Sequence, residues 1–287
     1  MGNSVGIDSI SSIHDMTTAL IFHPPETKIG NIDRLNTYAH TQTFDITRKH
    51  NTLNDMILIT GVEIGSIKRN TIIIYSHGNA TDIFTGYDLM KYYSKLFDTL
   101  VVGYDYCGYG ASWIFNTKTN KINRKPSEEL CYKSLEMVID YCKDKYNDCN
   151  IVLIGQSLGT GVTVHYAQTH EWKQPIILIS PYKSITRVIA DSAIIESSFA
   201  HNKFESYNKI EDLDCPVKII HGTMDKVIDI SHGKYLYGLL KKPLKPVWKE
   251  NCGHNDIIIY EDDIDDIECF DYLKTKNEIN ADISNIY

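Results

Sequence analysis

A serine between two glycines follows a short apolar run in this chain. The run at 151–154 predicts a buried strand, and Gly-Gln-Ser-Leu-Gly at 155–159 has the spacing of a sharp strand-to-helix turn. Such a turn holds the hydroxyl of Ser157 out above the sheet, and a side chain at either glycine would collide with the neighbouring strand or helix. The alternative is a serine that only caps the helix behind it.

Two later segments carry the groups that a serine nucleophile needs. A hydroxyl is a poor nucleophile at neutral pH, so it requires a histidine base and an acid that orients the imidazole. Asp225 follows an apolar strand and a Gly turn, and His254 follows the next predicted strand. This order of serine, acid and histidine predicts acyl transfer by Ser157, with His254 moving the proton and Asp225 orienting His254. Asp229 is the alternative acid, although it is better placed to open the next helix.

Acyl transfer also needs hydrogen-bond donors for the oxyanion that develops on the substrate. One expected donor is the backbone N–H of Leu158, directly after the serine. The second is expected from His-Gly-Asn-Ala at 77–80, where small residues would let a tetrahedral intermediate come close. We predict the N–H of Asn79 as that donor, with Ala80 as the alternative. His77 and His221, each in a His-Gly pair at a strand end, are predicted to be structural.

Apolar strand-like runs alternate with longer helical patterns along the chain. This alternation predicts an α/β fold with a mostly parallel eight-stranded sheet and helices on both faces. No linker divides the chain, so a single domain is expected over 1–287, with early antiparallel strands of open boundaries within 1–70. Strands are predicted at 43–46, 56–60, 71–76, 100–104, 151–154, 176–180, 217–221 and 246–249, and helices at 128–146, 159–169 and 231–241.

Two segments depart from the alternation. The stretch 182–214 is too long for a simple connection, so we predict a small inserted cap, with an ordinary crossover helix on long flanks as the alternative. The acidic run 261–268 is predicted to be the solvated start of a helix, because carboxylates are favoured in an N-terminal turn. A basic partner is the alternative for the acidic run.

Composition excludes several classes of function. The formal net charge of −8 argues against a nucleic-acid partner, because phosphate binding needs a basic patch. The seven cysteines include no Cys-x-x-Cys pair, so no metal site and no disulfide framework are predicted. Cys107 has no histidine beside it and is not predicted to be a nucleophile.

The N-terminus lacks the basic start and long apolar stretch of a signal peptide. No window approaches the roughly 20 apolar residues of a membrane-spanning helix. We therefore expect a cytoplasmic protein without a transmembrane segment. N-myristoylation of Gly2 is an open alternative to a plain exposed terminus, although Gly6 stands where the motif has Ser or Thr.

Together these motifs resemble the α/β-hydrolase superfamily. From about Thr71 to the C-terminus, the chain resembles the α/β-hydrolase-domain-containing protein 17 type, some of whose members remove palmitate from protein cysteines. The segments that carry this resemblance are His-Gly-Asn-Ala at 77–80, Tyr-Asp-Tyr-Cys-Gly-Tyr-Gly at 104–110, Gly-Gln-Ser-Leu-Gly at 155–159, His-Gly-Thr-Met-Asp-Lys-Val-Ile-Asp at 221–229 and Gly-His-Asn-Asp at 253–256.

The resemblance implies a serine hydrolase of carboxylic ester or thioester bonds, with Ser157, Asp225 and His254 as the triad and no metal or organic cofactor. Its expected partner is an acyl ester or thioester substrate, including a lipidated protein. The related depalmitoylases carry a lipidated N-terminal cysteine cluster, whereas the first cysteine here is Cys107, so that membrane anchor is not expected.

Two other functions remain open. A peptidase of the prolyl-oligopeptidase type shares the order of the triad, but a chain this short lacks the propeller that gates such peptidases. A non-catalytic binding protein with the same fold would not need all three groups. Acyl length, leaving group and oligomeric state are not predicted.

Overall fold

The computed structural model describes residues 21–50, 54–68, 70–192 and 203–270. Within them ten strands and six α-helices are seen. The strands are β1 Thr41–Lys49, β2 Asp55–Ile64, β3 Thr71–Ser76, β4 Leu100–Tyr104, β5 Trp113–Asn116, β6 Ile122–Asn123, β7 Asn150–Gln156, β8 Ile176–Ile179, β9 Val217–Gly222 and β10 Val247–Lys249. The helices are α1 Ile29–Leu35, α2 Tyr87–Leu96, α3 Glu128–Lys145, α4 Leu158–Thr169, α5 Ile185–Ser192 and α6 Ile230–Tyr237.

All ten strands belong to one sheet, in the order β10-β9-β8-β7-β3-β4-β2-β5-β6, with β1 paired to β2. The pairs from β10 through to β4 are parallel, whereas β1, β2, β5 and β6 form antiparallel pairs. The predicted mostly parallel α/β sheet is therefore confirmed. Because the carboxyl ends of parallel strands meet at one edge, the loops after β3, β7, β9 and β10 come together there.

Both faces of the sheet are covered, which explains the continuous apolar runs of its central strands. Ile72 and Ile74 of β3 face the core that α3, α4 and α6 cover, and Ile73 faces the core that α2 covers. All three side chains are 0% exposed. Strand β3 is thus fixed between two layers of helices, and the loop after it starts from a rigid position.

The sheet has two strands more than the predicted eight. β5 and β6 form a short antiparallel ribbon, and β5 also pairs with β2. β5 has only three apolar residues in a row, Trp113–Phe115, and is half-buried, and β6 is two residues long and exposed, so both are too short to be predicted as buried strands. The ribbon was missed because its pairing with β2, rather than its own pattern, makes it a strand.

The two central predicted helices agree with the structure to within one residue. Ser127 caps α3 by accepting the N–H of Leu130 at 3.2 Å, as Ser at an N-cap is expected to do. The third predicted helix, α6, ends at Tyr237, four residues before the predicted end at 241. Gly238 follows its last residue, and the chain then turns through Leu239 and Leu240.

The segment 182–214 contains α5 and two short 3-10 turns, Ser206–Asn208 and Ile210–Asp212. Its middle part, 193–202, lies outside the described residues, so the cap stays a prediction. The division of 1–287 into a single domain also stays a prediction, and residues 1–20 lie outside the described part.

The prediction of a solvated helix start at 261–268 is confirmed only in part, because Asp262, Asp265 and Glu268 are exposed but no α-helix begins there. The run forms 3-10 turns at Glu261–Asp263 and Glu268–Phe270. Asp263 is buried and pairs with Lys249 Nζ at 2.5 Å. Asp266 pairs at 2.6 Å with Lys218 Nζ, whose side chain is 1% exposed on β9. The carboxylates compensate lysines of the sheet, because a buried ammonium group needs a partner.

Candidate active site

Ser157 stands on the turn between β7 and α4. Its φ of 50° and ψ of −116° lie outside the regions that most residues adopt. A Cβ at Gly159 would lie 2.1 Å from the carbonyl oxygen of Ser76, and one at Gly155 would lie 2.5 Å from the carbonyl oxygen of Gly159. The two glycines let the strand, the turn and the helix pack this closely, and the turn raises the serine side chain above the sheet.

The structure brings the three predicted residues together although they are far apart in sequence. His254 Nε2 lies 3.0 Å from Ser157 Oγ, and His254 Nδ1 lies 2.7 Å from Asp225 Oδ2. Asp225 follows β9 and His254 follows β10, so the two loops meet beside the turn after β7. The alternative acid, Asp229, instead caps α6 by accepting the N–H of Ser231 at 2.9 Å.

The carboxylate of Asp225 is surrounded by hydrogen-bond donors. Its Oδ1 accepts the backbone N–H groups of Val227 at 2.9 Å and Ile228 at 2.8 Å. Burial alone raises the pKa of a carboxyl group, but hydrogen bonds from His221, His254 and the Ile228 N–H outweigh it and hold the pKa of Asp225 well below its usual range. Asp225 is therefore ionised at neutral pH, and the His254 Nδ1–H donates to an anion.

Two residues beside Asp225 were not among the predicted site residues. Ser180, directly after β8, donates its hydroxyl to Asp225 Oδ2 at 3.0 Å. His221 Nε2 donates to the carbonyl oxygen of Ile228 at 2.9 Å and lies 3.4 Å from the same Oδ2. His221 had been assigned a structural role, and its bond to loop backbone agrees with that. The sequence does contain a signal for Ser180. It is a polar residue at the end of an apolar strand, β8, and β8 lies next to β9, the strand that Asp225 follows.

Replacing Ser180 by alanine is expected to lower kcat about tenfold, because Asp225 loses a hydrogen bond that holds its Oδ2 in position toward His254. KM should change little, since Ser180 does not line the cavity at Ser157. Steady-state kinetics on a short ester would measure both. Ser94→Ala is the control and should keep full activity, because it removes a hydrogen bond from a hydroxyl on α2 to the carbonyl oxygen of Thr99. Equal kcat values in both variants would contradict a role for Ser180.

The loop after β3 faces the serine, as expected for the oxyanion donors. A Cβ on Gly78 would lie 3.6 Å from the Cβ of Ser157. Among residues 21–50, 54–68, 70–192 and 203–270, the backbone N–H groups of Asn79 and Leu158 have no hydrogen-bond acceptor. Both residues line the cavity that opens at Ser157. The N–H of Ala80, the alternative donor, is unpaired in the same way, and Ala80 also lines the cavity. Leu158 and the two candidate residues of the loop therefore border the space in front of the hydroxyl with unpaired donors.

That cavity has a volume of about 400 Å³. Its lining is mixed, with polar groups from His23, Asn79, Thr81, Gln156, Ser157, His254 and Asn255. The apolar lining comes from Ile21, Tyr182, Ile185, Val188, Val227 and Ile228. The hydroxyl of Ser157 therefore opens onto a space that has both polar and apolar walls.

His77 is the first residue of the loop after β3, and its Nε2 lies 3.9 Å from Oδ1 of the buried Asp105. His77 is 2% exposed, and burial lowers its pKa to about 4, so its ring is neutral at neutral pH. Its Nδ1 bonds the carbonyl oxygen of Gly78 at 2.7 Å. Tyr106 donates its hydroxyl to the carbonyl oxygen of His77 at 2.8 Å. These contacts support the loop from its inner side, which agrees with the structural role predicted for His77.

Other kinds of site find little support in the described part of the chain. No group of three or more His, Cys, Asp or Glu is arranged there to hold a metal ion. Burial raises the pKa of Cys107 to about 12, so this thiol is not ionised at neutral pH and is a poor nucleophile. Within the same residues, no helix has both the length and the apolar character that crossing a bilayer requires.

Comparison with known proteins shows the family. No family model matches the chain. The chain is 38% identical over 251 residues to an alpha/beta hydrolase of Acanthamoeba polyphaga mimivirus, and the match covers 86% of this chain and 90% of the viral protein. The chain belongs to the α/β-hydrolase family.

Two vertebrate relatives carry the resemblance found in the motifs. The chain is 34% identical over 193 residues to human alpha/beta hydrolase domain-containing protein 17B and 36% identical over 193 residues to protein 17C of Xenopus tropicalis. Each match covers 66% of this chain, but only 62% of the human protein and 57% of the frog protein. The α/β hydrolase thus spans about three-fifths of the length of these relatives.

Solved structures confirm the α/β-hydrolase fold. The Pyrococcus furiosus esterase Pf2001 superposes with a TM-score of 0.60 at 14% identity, covering 82% of this chain and 91% of the esterase. A hydrolase from Agrobacterium vitis S4 gives a TM-score of 0.57 at 17% identity, covering 84% of this chain and 98% of that one. At such identities the likeness concerns the fold alone.

Proposed function

We propose that this α/β hydrolase is a serine hydrolase that cleaves carboxylic ester or thioester bonds through an acyl-enzyme. The observation that carries the proposal is the chain of contacts from Ser157 Oγ to His254 Nε2 at 3.0 Å and from His254 Nδ1 to Asp225 Oδ2 at 2.7 Å. A binding protein with the same fold would need neither these distances nor an ionised acid behind the imidazole.

In the first half of the reaction, Ser157 Oγ attacks the substrate carbonyl carbon while His254 Nε2 takes the hydroxyl proton. Asp225 stays anionic and stabilises the imidazolium that forms. The tetrahedral intermediate then collapses, and the bond from carbon to the leaving oxygen or sulfur breaks as His254 returns the proton to the leaving group. An alcohol or a thiol departs, and the acyl group remains on Ser157 as an ester.

In the second half, water replaces the leaving group. His254 removes a proton from the water as its oxygen attacks the acyl carbon, and it then protonates Ser157 Oγ as the acyl–serine bond breaks. A carboxylic acid is released. In both halves the oxyanion is stabilised by the N–H groups of Leu158 and Asn79, which border the cavity without an acceptor among the described residues. The reaction needs no cofactor.

The substrate we propose is an acyl ester or an acyl thioester, with a lipidated protein as one candidate. The apolar lining of the cavity supports an acyl chain, and helix α5 contributes Ile185 and Val188 to it. This contribution supports the proposal that 182–214 forms a cap over the acyl site. A cytoplasmic location is also proposed, since no disulfide is formed among the cysteines of the described residues.

The value of kcat/KM is expected to rise with acyl chain length across p-nitrophenyl esters from short to medium length. Each methylene that enters the apolar part of the cavity contributes about 0.8 kcal/mol, which corresponds to about a fourfold gain. Val188→Phe, which narrows the cavity, should flatten the rise for the longer esters. Ile122→Phe, on the exposed ribbon strand β6, is the control and should leave the profile unchanged.

A flat or falling profile would contradict the acyl proposal. Together with cleavage of short peptides after proline, such a profile would favour the prolyl-oligopeptidase type of peptidase.

A further inference from the structure

The chain from Ile21 to Lys28, here called the strap, crosses the outer side of the loop after β3. Phe22 anchors the strap, because its side chain is buried and packs edge-on against the ring of Phe204 with centroids 6.0 Å apart. Pro24 and Pro25 follow and restrict the backbone. Farther along, Thr27 Oγ1 donates a hydrogen bond to Asp82 Oδ2 at the far end of the same loop.

The side chain of Asn79 joins the strap to the loop at its other end. Asn79 Nδ2 donates to the carbonyl oxygen of Ile21 at 2.6 Å. Its Oδ1 accepts the backbone N–H of His23 at 3.0 Å and the hydroxyl of Tyr109 at 2.6 Å. Both the NH₂ group and the oxygen of the Asn79 amide therefore form hydrogen bonds. An Asp side chain would lack the donor, and a Leu side chain would lack both donor and acceptor.

The strap is also a wall of the active-site cavity. Ile21 and His23 line it, together with residues of α5 and of the loop after β9. The residue whose side chain grips the strap is the same residue whose backbone N–H borders the space in front of Ser157. The position of the strap and the position of that N–H are thus coupled through one residue.

We propose that the Asn79 side chain is a positioning group, which clamps the strap to the oxyanion loop so that the strap sets both the place of the Asn79 N–H and the width of the acyl site. This inference rests on the proposed hydrolase function. The loop is held on its inner side by Tyr106 and on its outer side by the strap. A donor held from both sides is oriented before substrate arrives, which is the condition for strong stabilisation of a developing charge.

Hydrogen exchange tests the clamp without reference to activity. In Asn79→Ala, the His23 amide loses its acceptor and should exchange at least tenfold faster than in the wild-type protein. Asn36→Ala is the matched control, because the amide of Asn36 also makes two hydrogen bonds to one neighbouring segment. Asn36 Nδ2 donates to Thr43 Oγ1 at 2.7 Å, and Asn36 Oδ1 accepts the backbone N–H of Thr43 at 2.7 Å. This pair does not line the cavity. That control should leave the exchange of the His23 amide unchanged. An unchanged rate in Asn79→Ala would overturn the clamp.

Kinetics test what the clamp does. Asn79→Ala should lower kcat about tenfold to a hundredfold, because the backbone N–H of residue 79 is still present but misplaced. The factor should be the same for every acyl length. Ile21→Ala should move the preferred acyl length upward, because the smaller side chain widens the cavity, whereas the bond from Asn79 Nδ2 to the carbonyl oxygen of residue 21 stays in place. Asn36→Ala should change neither kcat nor the preferred acyl length.

The outcomes separate the possible failures. A merely structural role predicts that Asn79→Ala and Asn36→Ala lower the melting temperature alike and keep kcat, and that result would overturn the inference. If wild-type protein cleaves no ester while Asn79→Ala still accelerates exchange at His23, the clamp exists and the proposed function fails. In that case the claim that the clamp positions the Asn79 N–H for an oxyanion fails together with the proposed function.

Discussion

Replacing Ser157 by alanine is expected to abolish covalent labelling by a fluorophosphonate and to lower kcat on esters by about 10⁶-fold, as in serine hydrolases that lose the nucleophile. The phosphonate bonds only to an activated hydroxyl, and Ser157 is the serine whose Oγ lies 3.0 Å from an imidazole nitrogen backed by an ionised carboxylate. In-gel fluorescence measures the labelling, and steady-state kinetics measures kcat. The fold should persist, because the change removes one oxygen atom.

The control for this experiment is Ser206→Ala. The hydroxyl of Ser206 is buried and has no hydrogen-bond partner among the described residues, so this change also removes one buried oxygen. It lies outside the lining of the cavity and should leave labelling intact. Labelling that persists in Ser157→Ala would show that another residue is the nucleophile.

Asp225→Asn is expected to lower kcat by about 10⁴-fold while the protein stays folded. The carboxylate of Asp225 fixes the proton of His254 on Nδ1, which leaves Nε2 free to accept the proton of Ser157. A neutral amide can present its NH₂ group to Nδ1 and so favour the other tautomer, in which Nε2 cannot act as a base. Kinetics on a short ester, with circular dichroism as the check on folding, would measure this.

Asp229→Asn is the matched control, with the same chemical change four residues along the chain. An asparagine still caps α6 at this position, so activity and stability should both stay near the wild-type values. If Asp229→Asn cripples the enzyme and Asp225→Asn is mild, the acid has been assigned to the wrong residue.

The parallel part of the fold could be predicted because burial on both faces leaves a mark on the sequence. Strands such as β3 and β7 are apolar runs of the expected length, and Ser127 marks the start of α3. The β5–β6 ribbon and the acidic run 261–268 could not be predicted in the same way. The ribbon is defined by its pairing with β2, and the acidic run by Lys218 and Lys249 on distant strands. Partners of this kind leave no periodic trace in the local sequence.

The same distinction applies to the candidate site. Ser157, Asp225 and His254 each follow a strand, so topology alone brings them to one edge of the sheet, and the structure places them within hydrogen-bond distance. The contacts of Ser180 with Asp225 and of Asn79 with the strap join residues 45 to 58 positions apart, and no local pattern in the sequence indicates either contact. Asn79 was singled out for its backbone N–H, whereas the bonds of its side chain became visible only in three dimensions.

The backbone of Ser157 has a consequence for how this sequence was selected. A non-glycine residue at a φ of 50° and a ψ of −116° costs on the order of 1–3 kcal/mol, a sizeable share of the 5–15 kcal/mol by which a typical domain is stable. Selection for stability alone would place glycine there, since glycine adopts such angles freely. Under the proposed function, the nucleophile needs a side chain where the backbone favours glycine, so stability and activity make opposing demands on residue 157.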